Sequence, residues 1–507
     1  MSYAQKPLPC DRTRIKGMSE KLIRSHRFHY LRFRNPDSVA ATDSRSASNP
    51  ATTAPGSQPR RTDSRTQMLL TALAVFSIAA FPLAALAQQK EIKIGFIYDV
   101  TGPLADAGSE AAQIGTKAAI DMFNEKGGVE GYRINAIFVD ARSKVDVAIN
   151  EMTRLIDQEK VDIVSGLFSS AQCVPIAQQA DARKKFTWLN VCIAAEVLRD
   201  RKLNYVFRPH QQSDLPGAAS CDYINYYAKS KFGVEPKNLK VAIIHEDGPY
   251  GVGVAAGNES QCKKHGMQIV LKEGYAGTAL DLSSLVTKLK REQPDVLLHT
   301  GYNPDITLFL RQAKEQGLKF KAVIGHGAGH SQIDRLRATF GEDVNYLHSV
   351  ESAASQLLDP KTLKPGVWAM TQEMIKRYQA IKGPGEPSPH VSIGFNNTWI
   401  LLNDVVPRAI RKYGGIDSEA LRKAALDTDI PVGGTMQGYG VKFYPPGNPL
   451  AGQDERAFPV ITQYVNGRAR IVWPKEMQTT DPVLPFPKGH TFAKGRRGQR
   501  ALYCAKV

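Results

Sequence analysis

Three clusters in this 507-residue chain carry side chains capable of chemistry. The first is Gly251-Val252-Gly253-Val254-Ala255-Ala256, which fits G-x-G-x-x-A, follows a strand-like run and opens a helical one. A tight turn of that kind cradles a pyrophosphate against a helix N-terminus. Here Glu246 and Asp247 stand between the strand and the first glycine and would meet the phosphates with negative charge. A nucleotide site is therefore not expected, and no cofactor is implied. The second cluster is His326-Gly327-Ala328-Gly329-His330. Two histidines with no third ligand nearby do not make a metal site, so no metal is expected. The third is Ser169-Ser170, between the run Val161 to Gly166 and a helix expected near Cys173. Hydroxyls there either cap the helix or, with the helix dipole, hold a carboxylate. No His–Asp pair is placed to activate either serine, and the body holds no nucleophile elbow, zincin or P-loop motif. The residues point to binding without catalysis, so the chain is not expected to be an enzyme.

The formal charge of +17 suggests nucleic acid or an anionic membrane only until it is located. Residues 1–67 carry +8 and residues 485–507 carry +6, leaving +3 for everything between. A nearly neutral body has no basic face from which to release counterions, so nucleic acid is excluded as a partner.

Residues 1–67 are rich in Arg, Ser, Pro and Thr without apolar periodicity, and are expected to be disordered or an over-extended reading frame. Met68 to Ala87 follows without a charge, preceded by Arg60, Arg61 and Arg65 and closed by Ala85-Leu86-Ala87. That is the order of a secretory signal peptide, cleaved to leave Gln88 first. A retained anchor is the competing reading of segment 68–87. Export places the body in the periplasm, where disulfides form. Residues 485–507, basic and without an acid, are expected to form a disordered tail.

From Glu91 onward short β-branched runs alternate with amphipathic ones. Strands are expected at 92–98, 133–140, 161–166, 186–191, 240–246, 267–273, 295–301 and 321–325. Helical patterns lie between them, as at 110–124, 145–158, 282–292 and 306–316. This rhythm gives α/β architecture with parallel sheets covered on both faces. It occurs twice, broken near Phe207-Arg208-Pro209, and helices dominate after residue 350. Two Rossmann-like lobes result, with ligand expected at the carboxyl ends of the strands. None of Cys173, Cys192, Cys221 and Cys262 is in CxxC spacing, and four cysteines allow three pairings. Cys221–Cys262 is expected, since both lie on predicted helices of one lobe. Cys173–Cys192 stays open.

The blocks KIGFIYDVTGPLADAG, AAIDMFNEKGGVEGYRI, FVDARSKVDVAINEMTRLI, VAIIHEDGPYGVGVA and DLSSLVTKLKREQPDVLLHTGYNPD arrive in this order between about residues 91 and 475. They closely resemble the periplasmic leucine/isoleucine/valine-binding family, the solute-binding components of ABC importers with the type I periplasmic binding-protein fold. The resemblance implies lobe 1 at 91–209 plus 350–441 and lobe 2 at 210–349 plus 442–480. Three crossover strands would join them near Arg208, Ser349 and Lys442, and the lobes would close on a ligand by a hinge.

Carried over residue by residue, the family pattern puts a ligand carboxylate on Ser169 and Ser170, with Ala171 beside them. It puts backbone contacts at Ala194 and Ala195, where the family's Thr is missing. Tyr250 and Tyr302 match two family tyrosines. His326-Gly327 stands where the family has the Glu that neutralises an ammonium, and Ala107 replaces an aromatic residue of the first loop. A buried ammonium without a carboxylate partner loses useful affinity. The sequence therefore implies an aromatic or branched acid, or an amide, in a pocket walled by Tyr250, Tyr302 and Phe168. The expected function is a monomeric periplasmic protein that captures a small solute (branched-chain amino-acid-like, an aromatic acid or an amide) between two lobes and delivers it to ABC permease subunits. A ligand-sensing receptor domain of the same fold is the alternative, although no output module follows residue 484.

Overall fold

The structure, a computed structural model, describes residues 90–494. The expectations for residues 1–67, the leader 68–87 and Gln88 lie outside the described residues, as do Cys10 and Cys504.

The first sheet is assembled from β1 (Glu91–Tyr98), β2 (Arg133–Asp140), β3 (Ile163–Gly166), β4 (Thr187–Leu189) and β5 (Val206–Phe207), in the order β2-β1-β3-β4-β5. Every pairing is parallel. β1 lies beside the middle of the sheet, and Ile92, Ile94, Phe96, Ile97 and Tyr98 are all buried, as a strand covered on both faces requires. The covering helices include α1 (Glu110–Glu125), α2 (Val145–Asp157) and α3 (Ser170–Ala182). In α2, Ala148, Met152 and Leu155 recur three and four residues apart and form the buried stripe.

Beyond β5 the chain enters a second body through α4 (Asp214–Tyr227). β6 (Lys240–Glu246), α5 (Pro249–Lys264), β7 (Gln268–Tyr275), α6 (Ser283–Glu292), β8 (Val296–Thr300), α7 (Asn303–Glu315), β9 (Ala322–His326), α8 (Ile333–Phe340) and β10 (His348–Glu351) follow. The chain then returns to the first body as α9 (Val367–Lys382), α10 (Pro389–Ile400), α11 (Val406–Tyr413) and α12 (Ser418–Leu426). It ends in the second sheet with β11 (Val460–Val465) and β12 (Arg468–Trp473). That sheet runs β12-β11-β10-β9-β8-β6-β7, parallel except where β11 meets β10 and β12.

Two boundaries differ from those implied by the sequence. Ser349 lies inside β10, so the second passage follows Glu351. The third passage lies after Asp454, not near Lys442. Phe443 packs edge-on against Trp188 and Phe207 of the first body, and Gln453 bridges to Arg208. An aromatic residue that completes the first core holds residues 442–454 there. The basic end is also ordered further than expected. Phe486 and Phe492 are buried in the second core, Phe320 N donates to Phe492 O at 2.7 Å, and Lys494 Nζ pairs with Asp295 at 3.1 Å. Apolar residues spaced along a basic segment overrode its charge.

Both cysteine pairs are joined, Cys173–Cys192 in the first lobe and Cys221–Cys262 in the second. The latter links α4 to α5 with Cα atoms 5.1 Å apart. Replacing Cys221 and Cys262 by Ala is expected to lower unfolding free energy by about 2–5 kcal/mol. Chemical denaturation checks this, and an unchanged midpoint contradicts it.

Candidate functional site

The carboxyl ends of both sheets face one another across a cleft. On the first-lobe side, β3 ends at Gly166, Leu167 and Phe168 follow it, and Ser169-Ser170 open α3. Neither hydroxyl caps that helix. The Ser170 Oγ accepts from Ala194 N at 3.1 Å, and Ser169 is buried beside it as the N-cap residue of α3. The loop after β4 brings Val191 and Ile193 to the cleft, and the first turns of α10 bring His390 and Ile393.

The second-lobe wall is aromatic and acidic. Tyr250 stands in the first turn of α5, its hydroxyl donating to His326 O at 2.9 Å. Glu246 holds that turn by accepting from Gly251 N at 2.5 Å and Gly248 N at 2.6 Å. Tyr302 is the N-cap residue of α7, and its N donates to Asp305 Oδ1 at 2.9 Å. Its ring centroid is 5.4 Å from Tyr250 and 6.2 Å from Phe168, so aromatic contact crosses the cleft. At the end of β10, Glu351 completes the wall. Gln211 Nε2 and Ser352 N each donate to its Oε1, both at 2.9 Å, and its Oε2 lies 3.9 Å from His390 Nε2.

Electrostatics follow from burial. Desolvation pushes the Glu351 carboxyl up to about 7, against the hydrogen bonds from Ser352 and Gln211. Asp305 is likewise pushed to about 7 by burial, and His390 is pushed down to about 4. Tyr250 is held well above the usual phenol range by burial and then by the negative charge of Glu351.

The cavity between the lobes is about 30 Å³, lined by Phe168, Ser170, Val191, Ile193, Tyr250, Tyr302, Ala328, Glu351, His390 and Ile393. The lobes are shut on it. Gln332 Nε2 reaches His390 Nδ1 at 3.1 Å and Ala107 O at 3.5 Å, and Arg335 pairs with Asp106 at 2.5 Å. A groove of about 610 Å³ on the flank, between Asp106 and Arg468, shares no residue with this cavity.

Of the residues expected from sequence, Ser170, Tyr250 and Tyr302 line the cavity, and Ser169 precedes Ser170 without lining it. Gly327 borders it, with φ +41° and an ideal Cβ position 2.7 Å from both Glu351 Oε2 and Tyr250 Oη, so only glycine fits there. Ala107, Ala171, Ala194 and Ala195 are not among the lining residues. Ala194 and Ala195 instead spend their N–H groups on Ser170 and Ser213. The His326 ring points into the second lobe, where Ser220, Asn258 and Thr300 hydrogen-bond both of its nitrogens. Its carbonyl accepts from Tyr250 Oη at the edge of the cavity. No acid stands at the His326-Gly327 position, and Glu351, from a different strand, is the acid that lines this cavity. A lone Glu ending the run His348 to Glu351 was the available signal, and His390 behind Ser388-Pro389 was another.

Two parallel-sheet lobes closing on such a cavity suit capture of a small molecule, and comparison with known proteins agrees. A family model described as "Periplasmic binding protein" matches residues 91–445. The chain belongs to the periplasmic binding protein family. Among relatives of this periplasmic binding protein, Leu/Ile/Val-binding protein homolog 7 of Brucella suis biovar 1 is 32% identical over 413 residues, covering 82% of this chain and 99% of its own length. A leucine binding protein from Thermotoga maritima superposes with a TM-score of 0.61 at 23% identity, covering 75% of this chain and 97% of its own. A solute binding protein from R. palustris in complex with benzoate gives 0.62 at 16%, covering 75% and 95%. The fold is thus that of the type I periplasmic binding proteins. Among the described residues there is no group of three or more His, Cys, Asp or Glu that could hold a metal, and no helix long and apolar enough to cross a membrane.

Proposed function

We propose that this periplasmic binding protein captures a small solute outside the cytoplasmic membrane and hands it, chemically unchanged, to the membrane subunits of an ABC importer. The solute carries a carboxylate or carbonyl at one end, an N–H-donating group (an ammonium or an amide) at the other, and a compact aliphatic or aromatic group. Branched-chain amino acids and their amides meet that description. The leader at 68–87 supports export.

The observation that carries this reading is that Ser170 and Glu351 line one small cavity from opposite lobes. Ser170 opens α3, where free N–H groups and the helix dipole favour an anion. Glu351 offers an acceptor that an arriving ammonium or amide N–H can satisfy. An acid without nitrogen would bring no donor to Glu351 Oε2, the oxygen that Gln211 and Ser352 leave free, and would set a second anion near it, at a cost. The apolar group of the solute meets Phe168, Val191, Ile193 and Ile393.

Thermal-shift titration of the mature protein with leucine, isoleucine, valine, phenylalanine, small primary amides and benzoate tests this. A solute at 100 times its Kd should add about 2.7 kcal/mol to stability. Stabilisation by benzoate alone overturns the reading. With the solute so found, Tyr250→Ala and Tyr302→Ala should each weaken binding by about 1–3 kcal/mol, mostly through faster release from a cleft that no longer seals. Stopped-flow release kinetics check this, and unaltered release contradicts it.

A further inference from the structure

The first-lobe half of the cleft rests on one short loop, residues 191–195, which the fold holds from three directions. Val191 and Ile193 of this loop line the cavity, and Cys192 between them does not. Cys192 is bonded to Cys173, which lies three residues beyond Ser170 in α3. The disulfide thus joins the loop after β4 to the first turn of α3, the two segments that carry Val191, Ile193 and Ser170 to the cavity. Backbone bonds run beside it, from Cys192 N to Leu167 O at 3.1 Å and from Ala194 N to Ser170 Oγ at 3.1 Å. Leu167 is held at φ +68°, a left-handed conformation that a leucine keeps only when its surroundings impose it.

The third hold comes from the hinge. Arg208, where the chain leaves the first lobe, is 0% exposed. Its Nη1 donates to Ala194 O at 2.8 Å and Cys192 O at 3.3 Å, and its Nε to Gln453 Oε1 at 2.6 Å. Gln453 in turn donates to His210 O at 2.6 Å, at the start of the second lobe. Burial depresses the guanidinium, and the acid acting on it, Asp214, is engaged with Arg199 instead. A buried cation without a paired carboxylate is costly unless its hydrogen bonds are needed where it stands.

We propose that the Cys173–Cys192 disulfide and Arg208 are positioning elements of the solute site, which together fix loop 191–195 against Ser170 and tie it to the hinge crossings. Neither touches the solute. The proposal rests on the reading of the cleft as the solute site. Cys221–Cys262 provides the contrast, since Cys262 lies at the end of α5 remote from Tyr250.

Hydrogen exchange read by mass spectrometry on the ligand-free mature protein tests it, with L-leucine affinity measured in parallel. In C173A/C192A and in Arg208→Lys, exchange in the peptide spanning 189–196 should accelerate by about tenfold or more, while the peptide spanning 240–246 stays unchanged. Lysine keeps the charge but cannot span two carbonyls and an amide. C221A/C262A should leave 189–196 as in the wild type. L-leucine affinity should fall by about tenfold in the first two variants and stay within about twofold in the third. If the cysteine variant does not fold, Arg208→Lys decides alone. Unchanged exchange at 189–196 in Arg208→Lys overturns the proposal. If wild-type protein ignores L-leucine, the solute reading is in trouble, and the exchange data still judge this one.

Discussion

Glu351→Gln is expected to weaken binding of an amino-acid solute by about 100-fold, close to 3 kcal/mol, while leaving the fold intact. The size follows from truncating one partner of a buried, hydrogen-bonded charge pair, which costs about 2–5 kcal/mol. Glutamine keeps the oxygen that accepts from Gln211 and Ser352 but cannot neutralise an ammonium. The pH dependence carries the same signature. Burial pushes the Glu351 carboxyl to about 7, so below that pH a proton occupies the place the ammonium needs. Wild-type affinity for an ammonium-bearing solute should fall by about tenfold per pH unit below about 7, and the variant should show no such slope.

Stability of the empty protein should move the other way. The folded value of this carboxyl lies above its ordinary 4.5, so its contribution is fully present below about 4.5 and is lost as pH rises through about 7. Glu351→Gln removes that loss, and the empty variant should be more stable than wild type at pH 8. Calorimetric titration and urea denaturation at two pH values check both halves. Equal slopes of affinity with pH in the two proteins contradict the role given to Glu351.

Gly394→Ala is expected to cost about 3 kcal/mol, the upper part of the range for overpacking a core. A Cβ at Gly394 would lie 2.0 Å from Ala112 O of α1, and one at Gly115 would lie 2.0 Å from Val391 O of α10. These are backbone atoms, so the helices themselves must part. α10 carries His390 and Ile393 to the cleft, and it is also sewn to the end of β4. Trp188 Nε1 donates to Asn397 O at 2.9 Å, Asn397 Nδ2 to Asn190 O at 2.7 Å, and Asn190 Nδ2 to Thr398 Oγ1 at 3.1 Å. Separating α1 from α10 should therefore both lower the melting temperature and weaken solute binding. Gly385→Ala, with open space around its Cβ position, serves as the control. Equal melting temperatures for the two variants contradict this account of the helix pair.

Much of the fold was legible because parallel strands covered on both faces leave continuous apolar runs. Ile92 to Tyr98 and Lys240 to Glu246 could be read directly. β5 and β12 were not legible: β5 is two residues long, and Arg468, Arg470 and Ala469 on β12 dilute its apolar signal. The lobe boundary at 442–454 depended on where Phe443 finds aromatic partners, which no local pattern shows. At the cavity, Ser170 was legible because it opens a helix just past a strand, a place set by topology, whereas Tyr250 and Tyr302 were legible only through the family resemblance. Glu351 and His390 were not, because each reaches the cleft only through the crossing geometry between lobes. The His326 ring was not legible for a related reason. The strand position was right, but the ring took the face that offers Ser220 and Thr300.

The central claim is that the cleft selects a solute with an N–H-donating group facing Glu351. Calorimetric titration at pH 8 with L-leucine, leucinamide and the deaminated analogue isocaproate tests it most directly, since the three share one side chain. The account predicts that L-leucine or leucinamide binds at least about 100-fold more tightly than isocaproate. Binding of isocaproate as tight as, or tighter than, both nitrogen-bearing compounds would contradict it.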